Sequence, residues 1–137
     1  MQFRNFLYLA VLVSLFFTLP TERSSFQQES NAFSDIELTK KLAEGPVFLN
    51  FTADWCITCK VNERVALKTE DTLKFFEEKN IFYLEADWTN KNALIAKKLA
   101  SFGRSSIPLY VYFPDEKSIP IILPEILTET IIKDYLN

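Results

Sequence analysis

The only two cysteines of the chain, Cys56 and Cys59, are separated by two residues in the stretch ADWCITCK. Thiols at this spacing could brace the chain as a disulfide, hold a metal ion, or act as a redox pair that exchanges disulfides with other proteins. The sequence contains no histidine. This excludes catalysis by Cys–His or Ser–His pairs and removes the commonest ligand of transition metals. Chemistry in this chain must therefore use cysteine, carboxylate, amine or hydroxyl groups.

The position of the cysteine pair indicates why its first sulfur would be reactive. The stretch VFLNFT (Val47–Thr52) before it is a continuous apolar run, typical of a strand buried on both faces, and the pair then begins a predicted helix. The N–H groups and the dipole at a helix N-terminus stabilise a thiolate and lower the pKa of the first cysteine. We therefore expect Cys56 to be exposed and to attack disulfides. Cys59, one turn further on, would be shielded and would resolve the mixed disulfide.

Two other roles for the pair compete with redox exchange. A structural disulfide across two residues closes almost no loop, so it would constrain the unfolded chain only slightly. Zinc would lack two of its four ligands, because the chain has no further cysteine and no histidine. Copper(I) can be held between two thiolates, so a copper-binding or copper-delivery module using the same pair is the alternative function. Copper carriers usually add histidine or methionine ligands, and the only methionine here is the initiator.

The rest of the chain alternates helix and strand signals in the order α-β-α-β-α-β-β-α. The predicted elements are a helix from Ser34 to about Gly45, a strand Val47–Thr52, a helix from Cys56–Cys59 that breaks at Lys68–Thr69, a strand Ile81–Asp87, a helix over 90–102, strands Ile107–Phe113 and Ser118–Leu123, and a helix from Thr128. Short crossovers between buried strands predict a parallel pair, and the closing hairpin makes the sheet mixed. Pro120 places the last strand at the sheet edge. We therefore predict an α/β fold, a four-stranded mixed sheet with helices on both faces.

Length and composition fit one globular domain behind a separate N-terminal segment. The chain has 137 residues, of which 48% are apolar, so one sizeable core is expected. The formal net charge is −3 and the cations are scattered, which argues against nucleic acid as a partner. The domain is predicted to cover residues 34–137, and residues 21–33, which are polar without periodicity, are predicted to be a linker.

Residues 1–20 are predicted to be a signal anchor or a signal peptide. An uncharged apolar run from Phe6 to Leu19 follows Arg4 and ends at Pro20. No small-x-small cleavage site follows this run, which favours an uncleaved anchor over a cleaved signal; a buried helix of the domain is the third alternative. With Arg4 on the cytoplasmic side, the rest of the chain would lie outside the cytoplasm, where disulfides persist.

The run VFLNFTADWCITCKVNE, with YLEADWT and GRSSIPLY downstream, resembles the thioredoxin superfamily. Within it, residues Phe33 to Asn137 look like the C-terminal, extracytoplasmic thioredoxin domain of DsbD-type transmembrane electron transporters. The resemblance implies a thioredoxin-like fold and a protein-disulfide reductase that receives electrons from a membrane donor with paired cysteines and passes them to oxidised periplasmic proteins. It implies no cofactor beyond the redox-active disulfide. The chain would be at the periplasmic face of the bacterial inner membrane, or periplasmic if the N-terminal segment is cleaved.

The resemblance also implies roles for individual residues. Cys56 matches the exposed nucleophile and Cys59 the resolving thiol. Trp55 matches the tryptophan that flanks the active site, and Pro108 matches the proline that is cis in this superfamily. Ile107 would offer its backbone to an extended substrate segment. Ile57, between the cysteines, would contribute to substrate binding and partner choice.

One further position matches this family and two depart from related proteins. Glu63 matches an acidic residue that would raise the thiol pKa by like-charge repulsion, and it is expected to act with the cysteines. Asn50 stands where thioredoxins usually carry a buried aspartate, so proton handling would fall to Glu63 or to water. Oxidases and isomerases of this fold usually carry a histidine between the cysteines, and Thr58 stands there instead. Thr58 therefore favours a reductant.

Overall fold

A computed structural model describes residues 33–137 of the chain. The order of elements is the one predicted from the sequence. The helices are α1 (Asp35–Glu44), α2 (Ile57–Asn62), which continues into a π-helical turn (Glu63–Leu67), α3 (Glu70–Glu78), α4 (Ala93–Ser101) and α5 (Glu129–Leu136). The strands are β1 (Val47–Thr52), β2 (Phe82–Asp87), β3 (Leu109–Phe113) and β4 (Ile121–Ile122).

The described part of the chain forms a four-stranded mixed sheet in the order β2-β1-β3-β4. β1 pairs with β2 in parallel and with β3 antiparallel, and β4 pairs antiparallel with β3. All six residues of the central strand β1 are buried, as the continuous apolar run predicted. The predicted α/β fold is confirmed, and β4 lies at the sheet edge directly after Pro120.

Alternate residues of β1 face two separate cores. Phe48 packs in a cluster with Phe76 of α3 and Ile132 of α5. On the opposite face, Leu49 packs in a second cluster with Leu99 of α4, to which Leu38 of α1 also belongs. Helices therefore cover both faces of the sheet, and the β1–α2 connection emerges from the centre of the molecule.

Local capping signals set the helix starts at the predicted places. The side chains of Ser34, Thr69 and Thr128 each accept a hydrogen bond from a backbone N–H in the first turn of α1, α3 and α5. Thr69 therefore explains the break between the π-helical turn and α3. The helix that contains the cysteines is thereby kept short, and a separately capped helix follows it.

Three predicted strands are shorter than expected, and β2 loses only its first residue, since it begins at Phe82 rather than Ile81. β3 begins at Leu109 rather than Ile107, and β4 contains two residues rather than the six from Ser118 to Leu123. The early part of the last strand is diverted by Asp115, whose Oδ1 accepts hydrogen bonds from the backbone N–H groups of Lys117 and Ser118 at 2.7 and 2.8 Å. This turn replaces strand pairing there.

The predicted N-terminal segment 1–20 and nearly all of the predicted linker 21–33 lie outside the described residues. Between residues 33 and 137, no helix has the length and apolar character needed to cross a membrane.

Candidate active site

A disulfide at the start of α2 is the centre of the candidate site. After β1 the chain turns through residues 53–55, and Cys56 is the N-cap of α2. Cys56 and Cys59 are bonded to each other, and the Sγ atom of Cys56 accepts a hydrogen bond from the backbone N–H of Cys59 over 3.2 Å. Cys56 exposes 6% of its surface and Cys59 none. Cys56 is thus the more accessible, as predicted, but it is not the exposed residue that we expected, because Ala53 and Ile107 pack against the pair.

The residues predicted to bind substrate lie in the two segments nearest this disulfide, and Ile107 packs against it. Trp55 is 49% exposed and Ile57 is 80% exposed. The Ile107–Pro108 peptide bond is cis, as the resemblance implies. The pairing of Phe51 with Leu109 places this bond at the end of β1 from which the cysteine loop emerges. The structure therefore brings the predicted binding residues to the same end of the sheet as the sulfurs, and their contact with a substrate stays a prediction.

The loop between β2 and α4 holds Trp55 in place. The indole N–H of Trp55 donates to the backbone carbonyl of Thr89 over 3.1 Å. The Trp55 ring lies 6.2 Å from the ring of Trp88. The Lys91 ammonium group lies 5.4 Å from the centre of the Trp55 ring and 5.7 Å from that of Trp88. Trp55 is therefore oriented by three kinds of contact, although nearly half of it is open to solvent.

Glu63 lies one turn beyond Cys59 and is 7% exposed. Its carboxylate accepts a hydrogen bond from Thr52 Oγ1 at 2.7 Å and is paired with Lys68 at 3.3 Å and Lys60 at 3.5 Å. Burial acts to raise the pKa of Glu63, but the Thr52 hydrogen bond and the two ammonium groups outweigh burial and leave this pKa lowered. Glu63 is therefore ionised at neutral pH, and its effect on the thiols stays a prediction.

Lys68 joins Glu63 to a second acidic residue. The Lys68 ammonium lies 3.0 Å from Glu85 Oε1, which also accepts a hydrogen bond from Tyr83 Oη at 3.0 Å. Burial acts to lower the pKa of Lys68, but Glu85 and Glu63 outweigh burial and leave this pKa raised. A contact chain therefore runs from Glu63 across to β2, and sequence analysis did not predict it.

Asn50 lies at the far end of this series of contacts, at the position where thioredoxins usually carry an aspartate. It is fully buried, and its Nδ2 donates to Tyr83 Oη over 2.8 Å. Burial, followed by the charge of Glu85, raises the pKa of Tyr83 well above its ordinary value. Within residues 33–137, no donor reaches Asn50 Oδ1. Asn50 is thus a neutral group whose oxygen is left with spare hydrogen-bonding capacity.

Asn62 is a further buried polar residue that sequence analysis missed. Its Nδ2 donates to Tyr110 Oη at 2.8 Å and to the carbonyl of Glu125 at 2.7 Å, and its Oδ1 accepts from the N–H of Leu127 at 3.2 Å. These bonds tie the end of α2 to β3 and to the segment before α5. A single asparagine in a helix gives no sequence signal for partners 48 to 65 residues away.

Metal binding would have to depend on the sulfurs. Among the residues that the structure describes, no group of three or more cysteine, aspartate or glutamate side chains is arranged to hold a metal ion. A copper site would use Cys56 and Cys59, which are bonded to each other in this structure.

The sequence match to known proteins agrees with this geometry. A model of the family described as thioredoxin-like matches residues 39–115, which is more than half of the chain. The chain belongs to the thioredoxin-like family. The matched range contains β1, both cysteines, the β2–α4 loop and the cis bond before Pro108.

Curated relatives have weaker but consistent similarity. The thiol:disulfide interchange protein DsbD of Haemophilus influenzae (strain PittGG) is 25% identical over 103 residues, which are 73% of this chain and 17% of the relative. DsbD of Yersinia pestis (strain Pestoides F) is 29% identical over 93 residues, which are 67% of this chain and 15% of the relative. The chain therefore spans less than a fifth of the length of these relatives.

Solved structures share the fold. The C-terminal domain of Neisseria meningitidis DsbD in the oxidised form has a TM-score of 0.60 and 19% identity, over 76% of this chain and 95% of that chain. A DsbH oxidoreductase has a TM-score of 0.61 and 18% identity, over 77% of this chain and 83% of that chain. The family membership and the Cys56–Cys59 disulfide together support thiol–disulfide oxidoreductase activity.

Proposed function

We propose that this chain is an extracytoplasmic protein-disulfide reductase that uses Cys56 and Cys59 as its redox couple. The observation that carries the proposal is the disulfide at the start of α2, in which a backbone N–H of the helix is directed at Cys56 Sγ. A donor in this position stabilises negative charge on Cys56 more than on a sulfur deeper in the helix. Cys56 is also the more exposed of the two residues, which favours it as the one that a partner reaches.

The exchange reaction balances without a further cofactor. The Cys56 thiolate attacks one sulfur of a partner disulfide, forming a mixed disulfide and releasing the other partner sulfur as a thiolate. Cys59, as a thiolate, then attacks Cys56 Sγ, which forms the Cys56–Cys59 disulfide and releases the second partner sulfur. The partner gains two electrons and the chain loses two, and the protons of the two attacking thiols pass to the two released sulfurs. A membrane donor with paired cysteines would regenerate the dithiol by the reverse sequence.

Proton transfer from Cys59 is better assigned to water than to Glu63. The Glu63 carboxylate already accepts a hydrogen bond from Thr52 and faces two ammonium groups, and these contacts oppose its protonation. Asn50 has no ionisable group. The sequence leaves Glu63 and water as alternative acceptors for the Cys59 proton, and the contacts of Glu63 favour water.

The proposed direction of electron flow rests on the residue between the cysteines. Thr58 stands there, where a histidine would stabilise the Cys56 thiolate and favour an oxidant. The curated relatives are named thiol:disulfide interchange proteins, a name that supports exchange without giving a direction, and the chain spans less than a fifth of each. The membrane donor and the oxidised substrate proteins are further parts of the proposal.

The redox state of the pair in living cells tests the direction. Cells that produce the chain are quenched with acid, and free thiols are labelled with a maleimide that adds visible mass. A reductase should be mainly in the dithiol state and carry two labels, whereas an oxidant would be mainly unlabelled. In the same cells, the Cys59→Ser variant should accumulate mixed disulfides with partner proteins, which a reducing agent cleaves, because it lacks the resolving thiol. The Cys56→Ser variant should accumulate few. A predominantly oxidised wild-type chain would refute the proposed direction.

We also propose that residues 1–20 anchor the chain at the periplasmic face of the inner membrane. The support is the apolar run from Phe6 to Leu19, which follows Arg4 and lacks a small-x-small site. Cell fractionation of a chain tagged at its C-terminus should recover it with membranes at full mass. A form in the periplasmic fraction shortened by about twenty residues would show instead that the segment is a cleaved signal.

A further inference from the structure

We propose that Asp87 and Thr89 form a clamp that positions the cysteine loop for exchange with protein disulfides. The cysteine loop is residues 53–56, between β1 and α2. Thr89 lies in the loop after β2, outside the set of residues that the sequence singled out. This inference rests on the exchange activity of Cys56 and does not depend on the direction of electron flow.

Neighbouring parallel strands bring the two loops together. Thr52 at the end of β1 is paired with Asp87 at the end of β2, so the loops that follow both strands start side by side. The backbone N–H of Trp88 donates to the carbonyl of Thr52 over 2.8 Å, which continues the ladder by one more bond. Beyond this point backbone pairing stops, and side chains must hold the loops together.

Thr89 supplies that connection at two points. Its Oγ1 accepts a hydrogen bond from the backbone N–H of Asp54 at 2.9 Å, and its carbonyl accepts from the Trp55 indole at 3.1 Å. The two residues that precede Cys56 are therefore both bonded to Thr89. Cys56 in turn is the N-cap of α2, so its position follows the end of this loop.

Asp87 sets the direction of the hydroxyl hydrogen bond. Its Oδ1 accepts from the backbone N–H of Thr89 at 2.8 Å and also from the Thr89 hydroxyl. A threonine hydroxyl has one hydrogen and a carboxylate only accepts, so the hydrogen goes to Asp87. The Thr89 oxygen is then left as an acceptor, which is the role that the Asp54 N–H requires. Asp87 thus acts on the cysteine loop through Thr89.

A looser loop should affect protein substrates more than small reagents. A small alkylating reagent approaches Cys56 from many directions, whereas a protein disulfide must be aligned with the sulfur while its neighbouring residues contact the loop. Loss of the clamp should therefore slow exchange with a protein while it leaves alkylation nearly unchanged. A residue that only stabilised the fold would not separate these two rates.

The test compares Thr89→Val, which has the same shape without the hydroxyl, with Thr89→Ser, which keeps it. We expect Thr89→Val to reduce insulin roughly three- to tenfold more slowly with dithiothreitol as electron donor, and Thr89→Ser to stay within about twofold of wild type. Alkylation by iodoacetamide should stay within about twofold in both. By NMR, the Asp54 amide should exchange with solvent faster in Thr89→Val only. The matched control is Ser118→Ala, which removes a hydroxyl from a similar aspartate turn after β3.

Asp87→Ala provides a second, independent test. It should slow insulin reduction by no more than Thr89→Val does, since the Thr89 oxygen remains, and the double variant should be no slower than Thr89→Val, because Asp87 acts through Thr89. Equal insulin rates for wild type and Thr89→Val, an equal loss in Thr89→Ser, or additive effects in the double variant would each overturn the clamp. A wild-type chain that fails to reduce insulin at all would overturn the exchange function and the clamp with it.

Discussion

The backbone N–H of Cys59 donates a hydrogen bond to the Sγ atom of Cys56 over 3.2 Å. The donor belongs to the first turn of α2, so it adds a directed bond to the general effect of the helix dipole. Cys59 has no exposed surface, whereas Cys56 retains a small opening. The two cysteines of one disulfide therefore differ in hydrogen bonding and in exposure, and the proposed exchange mechanism depends on that difference.

Replacement of Ile57 by serine should impair recognition of protein substrates without affecting the fold. Ile57 is 80% exposed, so the change should alter the free energy of unfolding by less than about 0.5 kcal/mol. Insulin reduction should slow roughly threefold, because a partner would lose an apolar contact beside the attacking sulfur. Ile119→Ser is the matched control, since Ile119 is 87% exposed in the connection between β3 and β4. Equal effects of the two changes on insulin reduction would contradict a binding role for Ile57.

Glu63→Gln should weaken the dependence of stability on acid. The pKa of Glu63 is lowered in the fold, so its contribution is present above the pKa of an unfolded glutamate, about 4.3, and is lost as the pH falls through the lower folded value. At pH 7 the variant should lose about 1–2 kcal/mol, a range reduced for the partial exposure of both lysines. Urea unfolding between pH 7 and pH 3 measures this, and the difference between the proteins should shrink towards pH 3.

The control for that series is Glu78→Gln, which removes one partner of the exposed Lys74–Glu78 pair at 3.9 Å. Its effect on stability should stay below about 0.5 kcal/mol at every pH. A constant difference between wild type and Glu63→Gln across the whole pH range would contradict the role given to the Glu63 charge.

Asn50→Asp should have the opposite pH dependence. The change places a carboxyl group in a fully buried position and removes the donor to Tyr83 Oη. Burial raises the pKa of such a carboxyl, so stability should be highest at low pH and should fall as the pH rises through the raised value. We expect a loss of about 1–3 kcal/mol at pH 8 relative to wild type and a smaller loss at pH 5.

Asn50→Asp should also change the pH dependence of Cys56 alkylation. The thioredoxin resemblance implies that a carboxylate at position 50 disfavours a thiolate on Cys56, so alkylation of Cys56 in Asn50→Asp should require a higher pH, while Glu63→Gln should shift it to a lower pH. Asn50→Ala is the control that removes the amide without adding charge. An alkylation profile that moves equally in Asn50→Asp and Asn50→Ala would show that the charge is not responsible.

Much of the fold could be predicted because its signals are local. β1 has the predicted bounds, and the caps at Ser34, Thr69 and Thr128 are short patterns that the structure reproduces. β4 was predicted too long because its apolar residues were counted without the turn that Asp115 organises. Strand length depends on which backbone groups are left to pair, and the sequence of the strand alone does not specify that.

The cysteine pair could be predicted from its motif and the cis bond before Pro108 from the resemblance to thioredoxins, but the contacts that support them could not. Lys68 bridges Glu63 and Glu85 across two elements, and Thr89 reaches a loop 35 residues earlier in the chain. Such contacts depend on which strand ends lie side by side. The π-helical turn Glu63–Leu67 was also missed, because its extra residue per turn has no recognised sequence signal.

The identity of the attacking sulfur is the central claim, and competition between the two thiols tests it most directly. The fully reduced, folded wild-type protein is treated with less than one equivalent of iodoacetamide at neutral pH, and peptides that contain Cys56 or Cys59 are quantified by mass spectrometry. Because the Cys59 N–H faces Cys56 Sγ and only Cys56 has any exposed surface, label on Cys56 should exceed label on Cys59 by about tenfold or more. Equal labelling of the two cysteines, or preferential labelling of Cys59, would contradict the account.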